Sequence, residues 1–200
     1  VDVAVVASFY QDWLGYGSGV VDYLSVPDFP TDTKGTQFGT PGGYIPGGDV
    51  SKLKPITSFG DKYFRDGVKE SVKHSWYEGD SNLHPYEDDG KYSWVKAPTF
   101  LGKPAQVGPL ANVLAMYASG HETTQKVAGV AFAKIKAITK SKSDIPISVL
   151  HSTLGRHAAR AIRTAVLFEE LEKNYNLLIN NIAGGDMTTF NPPVFPKGEQ

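Results

Sequence analysis

The sequence contains no cysteine in 200 residues, so neither a disulfide framework nor a cysteine-based metal or redox site can be built from it alone. It also lacks a long apolar run: no stretch approaches the roughly 20 residues that a helix needs to cross a bilayer. Charge of one sign is missing too. Lys and Arg number 20 against 21 Asp and Glu, and the lysines are spread along the chain, leaving no basic stripe to neutralise phosphates. Nucleic-acid binding and direct membrane insertion are therefore not expected. The first residues, VDVAVVASFYQDWLGYG, show no Met, no basic leader region and no small-residue cleavage site. Neither an internal repeat nor a low-complexity tract is present.

What is there is enough apolar material for one core, with 40% hydrophobic residues of which a good share are aromatic. Val3, Val6, Tyr10, Trp13 and Leu14 recur at helical spacing from the outset, which predicts a chain opening in mid-helix and a first helix closing near Gly15 to Gly19. Gly and Pro punctuate the next thirty residues, Ser25 to Pro55, predicting irregular structure in which PGGYIPGGD forms a small hairpin or surface loop. Loops of that length are usually functional or packed on a partner. Ser58 to Asp61 reads as a capping box. With Phe64, Val68, Val72 and Trp76 at four-residue steps, it predicts a helix from about Gly60 to Tyr77.

Tyr92, Trp94 and Val95 suit a strand, with Pro98 and Pro104 interrupting pairing. Pro109 marks a helix start, and the stripe Leu110, Val113, Leu114, Tyr117 ends at Gly120. A further helix is predicted near Thr123 to Lys140, with Val127, Ala131, Ile135 and Ile138 on one side. The longest is predicted from about Ile147 to Ile182, its apolar face carrying Leu150, Leu154, Ala158, Ile162, Ala165, Phe168, Leu171, Tyr175, Leu178 and Ile182. The expected fold is mainly α: a helical-bundle core with a long irregular Gly/Pro-rich loop region and minor β-hairpins.

Three of the chain's four arginines, Arg156, Arg160 and Arg163, fall in LHSTLGRHAARAIR and share one side of that helix. They could clamp a carboxylate or a neighbouring loop by bidentate hydrogen bonds, or form a solvated face. His157, close to the apolar stripe, is expected to be largely buried and neutral. His74 opens HSWY, the segment that ends the predicted helix, where it either caps that helix or, with Trp76 and Tyr77, meets a partner. The five histidines show no H-x-x-x-H or H-E-x-x-H spacing, so no zinc site is expected. The acidic pairs Asp88/Asp89 and Glu169/Glu170 read as solvated charges.

Beyond these readings, KYSWVKAPTF, QVGPLAN and LHSTLGRHAAR, in this order and separation, closely resemble the central part of the large subunit of [NiFe] hydrogenases. VPDFPTDTKGTQFGTPGGYI and VKHSWYEGD resemble the periplasmic uptake enzymes of that family, particularly those of sulfate-reducing bacteria. The resemblance runs over essentially all 200 residues and implies that residues 1–200 are an internal piece of a large-subunit domain, truncated at both ends. It further implies a nickel–iron centre held by two C-x-x-C pairs outside this sequence, with magnesium nearby. Also implied are hydrogen as substrate, an iron-sulfur small subunit as partner and a periplasmic location. No residue here would be a metal ligand or catalytic, and the piece alone would be inactive. Lys96, Gln106, Arg156 and Arg160 would form site wall, while His74, Trp76 and Tyr77 would join the region Ser25 to Pro55 in facing the small subunit through exposed apolar surface.

The chain departs from the family pattern at several points. Gln106 stands where Glu is usual, removing an ionisable group; Asn112 and Thr99 stand where Arg is frequent; and the segment from His84 to Asp89 looks shorter. The competing reading is a related metal-free helical scaffold subunit of a respiratory NADH:quinone oxidoreductase. Cysteine pairs in the flanking sequence would discriminate the two.

Overall fold

Pro109 and Gly120 bracket the helix around which the first core is built. The computed structural model describes residues 2–32, 36–75, 77–78, 82–83 and 93–190. Its helices are α1 (Asp2–Phe9), α2 (Lys62–Gly67), α3 (Pro109–Ala118), α4 (Glu122–Thr139) and α5 (Thr153–Ala183). The strands are β1 (Tyr23–Ser25), β2 (Asp28–Pro30), β3 (Phe38–Thr40), β4 (Gly42–Ile45), β5 (Lys54–Ile56), β6 (Val68–Ser71), β7 (Tyr77–Glu78), β8 (Asn82–Leu83) and β9 (Ala97–Phe100). By its contacts the chain divides into two units, residues 1–166 and 167–200.

In the first unit α3 is buried along nearly its whole length, from Leu110 to Met116, because an almost uninterrupted apolar sequence leaves it no polar face to present. Around it gather Tyr23 of β1, Ile45 of β4, Ala128 of α4, and Ala159, Ile162 and Val166 of α5. The mainly helical expectation holds, with small sheets added. The core itself is mixed, since two of its largest residues come from strands. A second cluster joins Leu24, Tyr44, Ile56 and Phe100. Helices α3 and α4 match the sequence reading to within two residues of their predicted ends.

Several expectations are corrected. PGGYIPGGD is neither a hairpin of its own nor a surface loop: Gly42–Ile45 is the buried central strand of an antiparallel sheet ordered β1-β4-β5, with Tyr23 opposite Ile45 and Tyr44 opposite Lys54. A Cβ at Gly42 would overlap the Val26–Pro27 backbone, so this glycine serves close approach of neighbouring chain rather than a turn. Between Ser25 and Pro55 no described large hydrophobic residue is strongly exposed, contrary to the apolar surface expected there.

The helix predicted from Gly60 to Tyr77 is only α2. Asp61, not Ser58, caps it, accepting from Tyr63 N–H at 2.9 Å. It stops at Gly67, where a side chain would strike the Phe100 ring, and β-branched Val68 starts a strand paired with β9. Pro98 sits within β9 opposite Glu70 instead of interrupting pairing, which is tolerable because, among the described residues, β9 has a strand neighbour on one side only.

The long helix begins at Thr153, not Ile147. Residues Ile147–Leu150 form a 3-10 turn, and Ser152 caps α5 by accepting from Gly155 N–H at 2.9 Å. Finally, His157 is exposed, lining a recess with Trp13, Tyr16, Thr153 and Leu154. The buried face of α5 in the first unit runs through Leu154, Ala159, Ile162 and Val166, which turns His157 away from the core. The first helix ends at Phe9, and a 3-10 turn, Gln11–Leu14, carries the chain to Gly15.

In the second unit, Glu170 is buried and bonded to Lys173 at 2.6 Å. Phe168, Leu171, Tyr175, Leu178 and Ile182, read from the sequence as a core face, are exposed. No described helix is long and apolar enough to cross a membrane.

Candidate functional site

Two segments singled out by sequence meet at β1. Gln106 forms a parallel bridge with Tyr23: its N–H donates to Asp22 O at 2.6 Å and its carbonyl accepts from Leu24 N–H at 2.9 Å. The chain then turns through Gly108, whose φ of 96° suits glycine, into Pro109 at the first position of α3. Gln106 Nε2 reaches Val20 O at 3.5 Å, while its Oε1 is buried without a hydrogen-bond partner.

On the other side, the first turn of α5 grips the loop before β1. Thr153 N–H donates to Tyr16 O at 2.9 Å and Arg156 Nη2 to Gly17 O at 2.6 Å. His151, in the turn ahead of α5, packs against Tyr23 with its ring tilted by 57° and the ring centroids 5.2 Å apart. Burial lowers the imidazole pKa of His151 below its usual value, favouring the neutral ring. Burial also raises the Tyr23 phenol, an effect the Arg156 guanidinium partly opposes. Tyr23 is only 1% exposed, so its hydroxyl lies where a missing hydrogen bond is costly.

The three arginines of α5 share a side but not a task. Arg156 holds the Gly17 carbonyl, exposed Arg160 bonds back to Arg156 O at 3.3 Å, and Arg163 donates from Nε to Asn112 Oδ1 at 2.9 Å. Arg163 also approaches Asp28 at 3.8 Å, and Asn112 Nδ2 donates to Ser25 Oγ at 3.3 Å. This second polar group opens on a cleft of about 390 Å³ that includes Val107, Gly108 and Pro109.

Lys96 belongs elsewhere. It pairs with Glu70 at 3.6 Å beside the β6–β9 ladder and lines a recess of about 140 Å³ with His74, which is exposed. The structure thus groups Gln106 with Arg156 through Tyr23, and Lys96 with His74. Trp76, the side chain of Tyr77, Tyr92 and the segment 84–89 lie outside the described residues. Sequence reasoning passed over Tyr23 and left His151 without a role. Only the position of His151 within LHSTLGR could have flagged it, and Tyr23 carries no local signal because its partners are distant in sequence.

Among the described residues no group of three or more His, Asp or Glu side chains could hold a metal ion, and the sequence has no cysteine. The residues present do not fit a nickel–iron centre as its ligands.

A family model described as nickel-dependent hydrogenase matches residues 1–199. The chain belongs to that family. It is 46% identical over 207 residues to the hydrogenase-2 large chain of Escherichia coli K12, covering 98% of this chain and 36% of that relative. It is 30% identical to the uptake hydrogenase large subunit of Rhodobacter capsulatus, covering 98% and 37%. A [NiFeSe] hydrogenase structure from Desulfovibrio vulgaris Hildenborough superposes with a TM-score of 0.67 at 25% identity, covering 97% of this chain and 38% of that one. The chain therefore spans little more than a third of the length of these family members, and most of the family's architecture falls in sequence beyond it.

Proposed function

We propose that this chain is part of the catalytic subunit of a [NiFe] hydrogenase, which reversibly oxidises hydrogen to protons and electrons and passes the electrons to an iron-sulfur small subunit. The observation that carries the reading is the 46% identity to a hydrogenase large chain across 98% of the sequence, within a nickel-dependent hydrogenase family match of 199 residues. A periplasmic location, as for the uptake enzymes the sequence resembles, and a magnesium ion in the complete subunit belong to the same proposal. Nothing in the relatives favours the respiratory scaffold alternative.

The contribution of these residues is framing rather than ligation. Gln106 and Arg156 act as wall, fixed by backbone pairing to β1 and by the grip on Gly17. Lys96 and Arg160 have the same assignment, although Lys96 stands apart from the other three beside His74. His74, exposed in the turn after β6, remains the proposed interface residue together with Trp76 and Tyr77. The exposed apolar face of α5 beyond Val166 suits coverage by further parts of a larger subunit, consistent with the 36% span. Since these residues supply no metal ligands, no chemical step at the metals is assigned to them.

The reading is tested by the sequence that flanks this chain in its gene. Two C-x-x-C pairs, one on each side, are expected; a complete flanking sequence without them would favour a scaffold subunit.

A further inference from the structure

Among the described residues, five buried side-chain polar atoms have no hydrogen-bond partner, and four belong to one neighbourhood: Tyr23 Oη, Gln106 Oε1, His151 Nε2 and Arg156 Nη1. Their association is structural. Tyr23 and Gln106 are bridge partners, so their side chains leave the backbone on the same side. The Tyr23 ring packs, tilted, against His151, and the charge of Arg156 acts on the Tyr23 phenol. Gln106 and Arg156 also hold the same short loop, at Val20 O and Gly17 O.

Native proteins rarely leave one such atom unsatisfied, and four together call for a common partner. The chemistry selects it. An anion would be welcomed by Arg156 and the phenol but repelled by the Gln106 carbonyl oxygen, and a cation would be repelled by Arg156. Only a group that both donates and accepts serves all four. We propose that Tyr23, Gln106, His151 and Arg156 enclose a site for one or two structural water molecules that join β1 to the first turn of α5. Water there accepts from Arg156 Nη1–H and donates to Gln106 Oε1, with the phenol and the imidazole completing the set.

The site is independent of the hydrogenase reading, since it rests on this chain's own packing. A crystal structure of the complete subunit with its partner tests it directly. Ordered water within hydrogen-bond distance of at least two of the four atoms is expected; a protein side chain in that place, or an empty site, overturns the proposal. Tyr23→Phe gives a second readout by amide hydrogen exchange of Leu24 and Thr153 in the same complex. If the hydroxyl is bonded to water, its loss removes a hydrogen bond and exchange accelerates about fivefold. If the hydroxyl is buried and unpaired, Phe relieves that cost, and exchange that is unchanged or slower overturns the proposal.

Discussion

Replacing Gly155 by Ala should destabilise the junction that holds the LHSTLGR segment in place, even though alanine is the better helix former. Gly155 lies in the first turn of α5 with its N–H bonded to Ser152 Oγ, and its φ is not in the positive region. Propensity alone therefore favours Ala by about 0.5–1 kcal/mol. Against this, a Cβ at Gly155 would overlap the backbone carbonyl of Leu150, whose side chain is 1% exposed in the core. Backbone cannot swing aside as a side-chain end can, so the 3-10 turn Ile147–Leu150 must shift, at an overpacking cost of about 1–3 kcal/mol. The net expectation is a loss of up to about 2.5 kcal/mol, centred near 1 kcal/mol or roughly fivefold in the local opening equilibrium.

Amide hydrogen exchange on the complete subunit reads this opening at His151, Thr153 and Gly155, whose N–H groups are bonded to Ser148 O, Tyr16 O and Ser152 Oγ. The internal control is Gly129→Ala in α4, where a Cβ would meet nothing within 4 Å. There propensity acts unopposed, and exchange in α4 should slow by about two- to fivefold. Faster exchange at the first site with slower exchange at the second is the predicted pattern. Unchanged or increased protection at Thr153 in Gly155→Ala would refute the close-packed junction.

Arg163→Ala leaves Asn112 Oδ1 without its donor at a residue only 7% exposed, and should cost about 1–3 kcal/mol; a double-mutant cycle with Asn112→Ala showing no coupling would remove that contact from the account. For His151, burial holds the folded-state pKa below the unfolded value of about 6.5, so its stabilising contribution is complete above that pH and is lost as pH falls through the folded value. Unfolding followed from pH 7.5 downward should show this acid-side slope diminished in His151→Gln. Gln106→Glu places an ionisable group beside Tyr23 and Arg156 and, under the proposed function, should alter the pH profile of hydrogen oxidation by the complete subunit with little effect on folding. Coincident profiles for the two proteins would take Gln106 out of the site.

How far sequence carries the reader depends on where a residue's partners lie. Helices α3 and α4 were legible because Pro109, Gly120 and a 3.6-residue stripe are local signals that tertiary packing reinforced. The stretch from Phe64 to Trp76 has equally good periodicity, yet it failed beyond Gly67 because pairing with β9, thirty residues away, outweighed helical propensity. PGGYI misled for a related reason, its glycines answering to close chain neighbours. His157 fell close to the predicted stripe only because that stripe was drawn through Ala158 and Ala165, a step around the helix from the true face through Ala159, Ile162 and Val166. The arginine cluster and Gln106 were visible in the sequence. Tyr23 and His151, which complete their neighbourhood, become apparent only when β1 and the start of α5 are seen side by side.

The claim that this chain is part of a nickel-dependent hydrogenase catalytic subunit is tested most directly on the complete subunit, purified with its partner and assayed for nickel content and hydrogen-dependent dye reduction in the same preparation. Stoichiometric nickel together with hydrogen oxidation is the predicted result. A folded, full-length complex that carries no nickel and reduces no dye under hydrogen would contradict it.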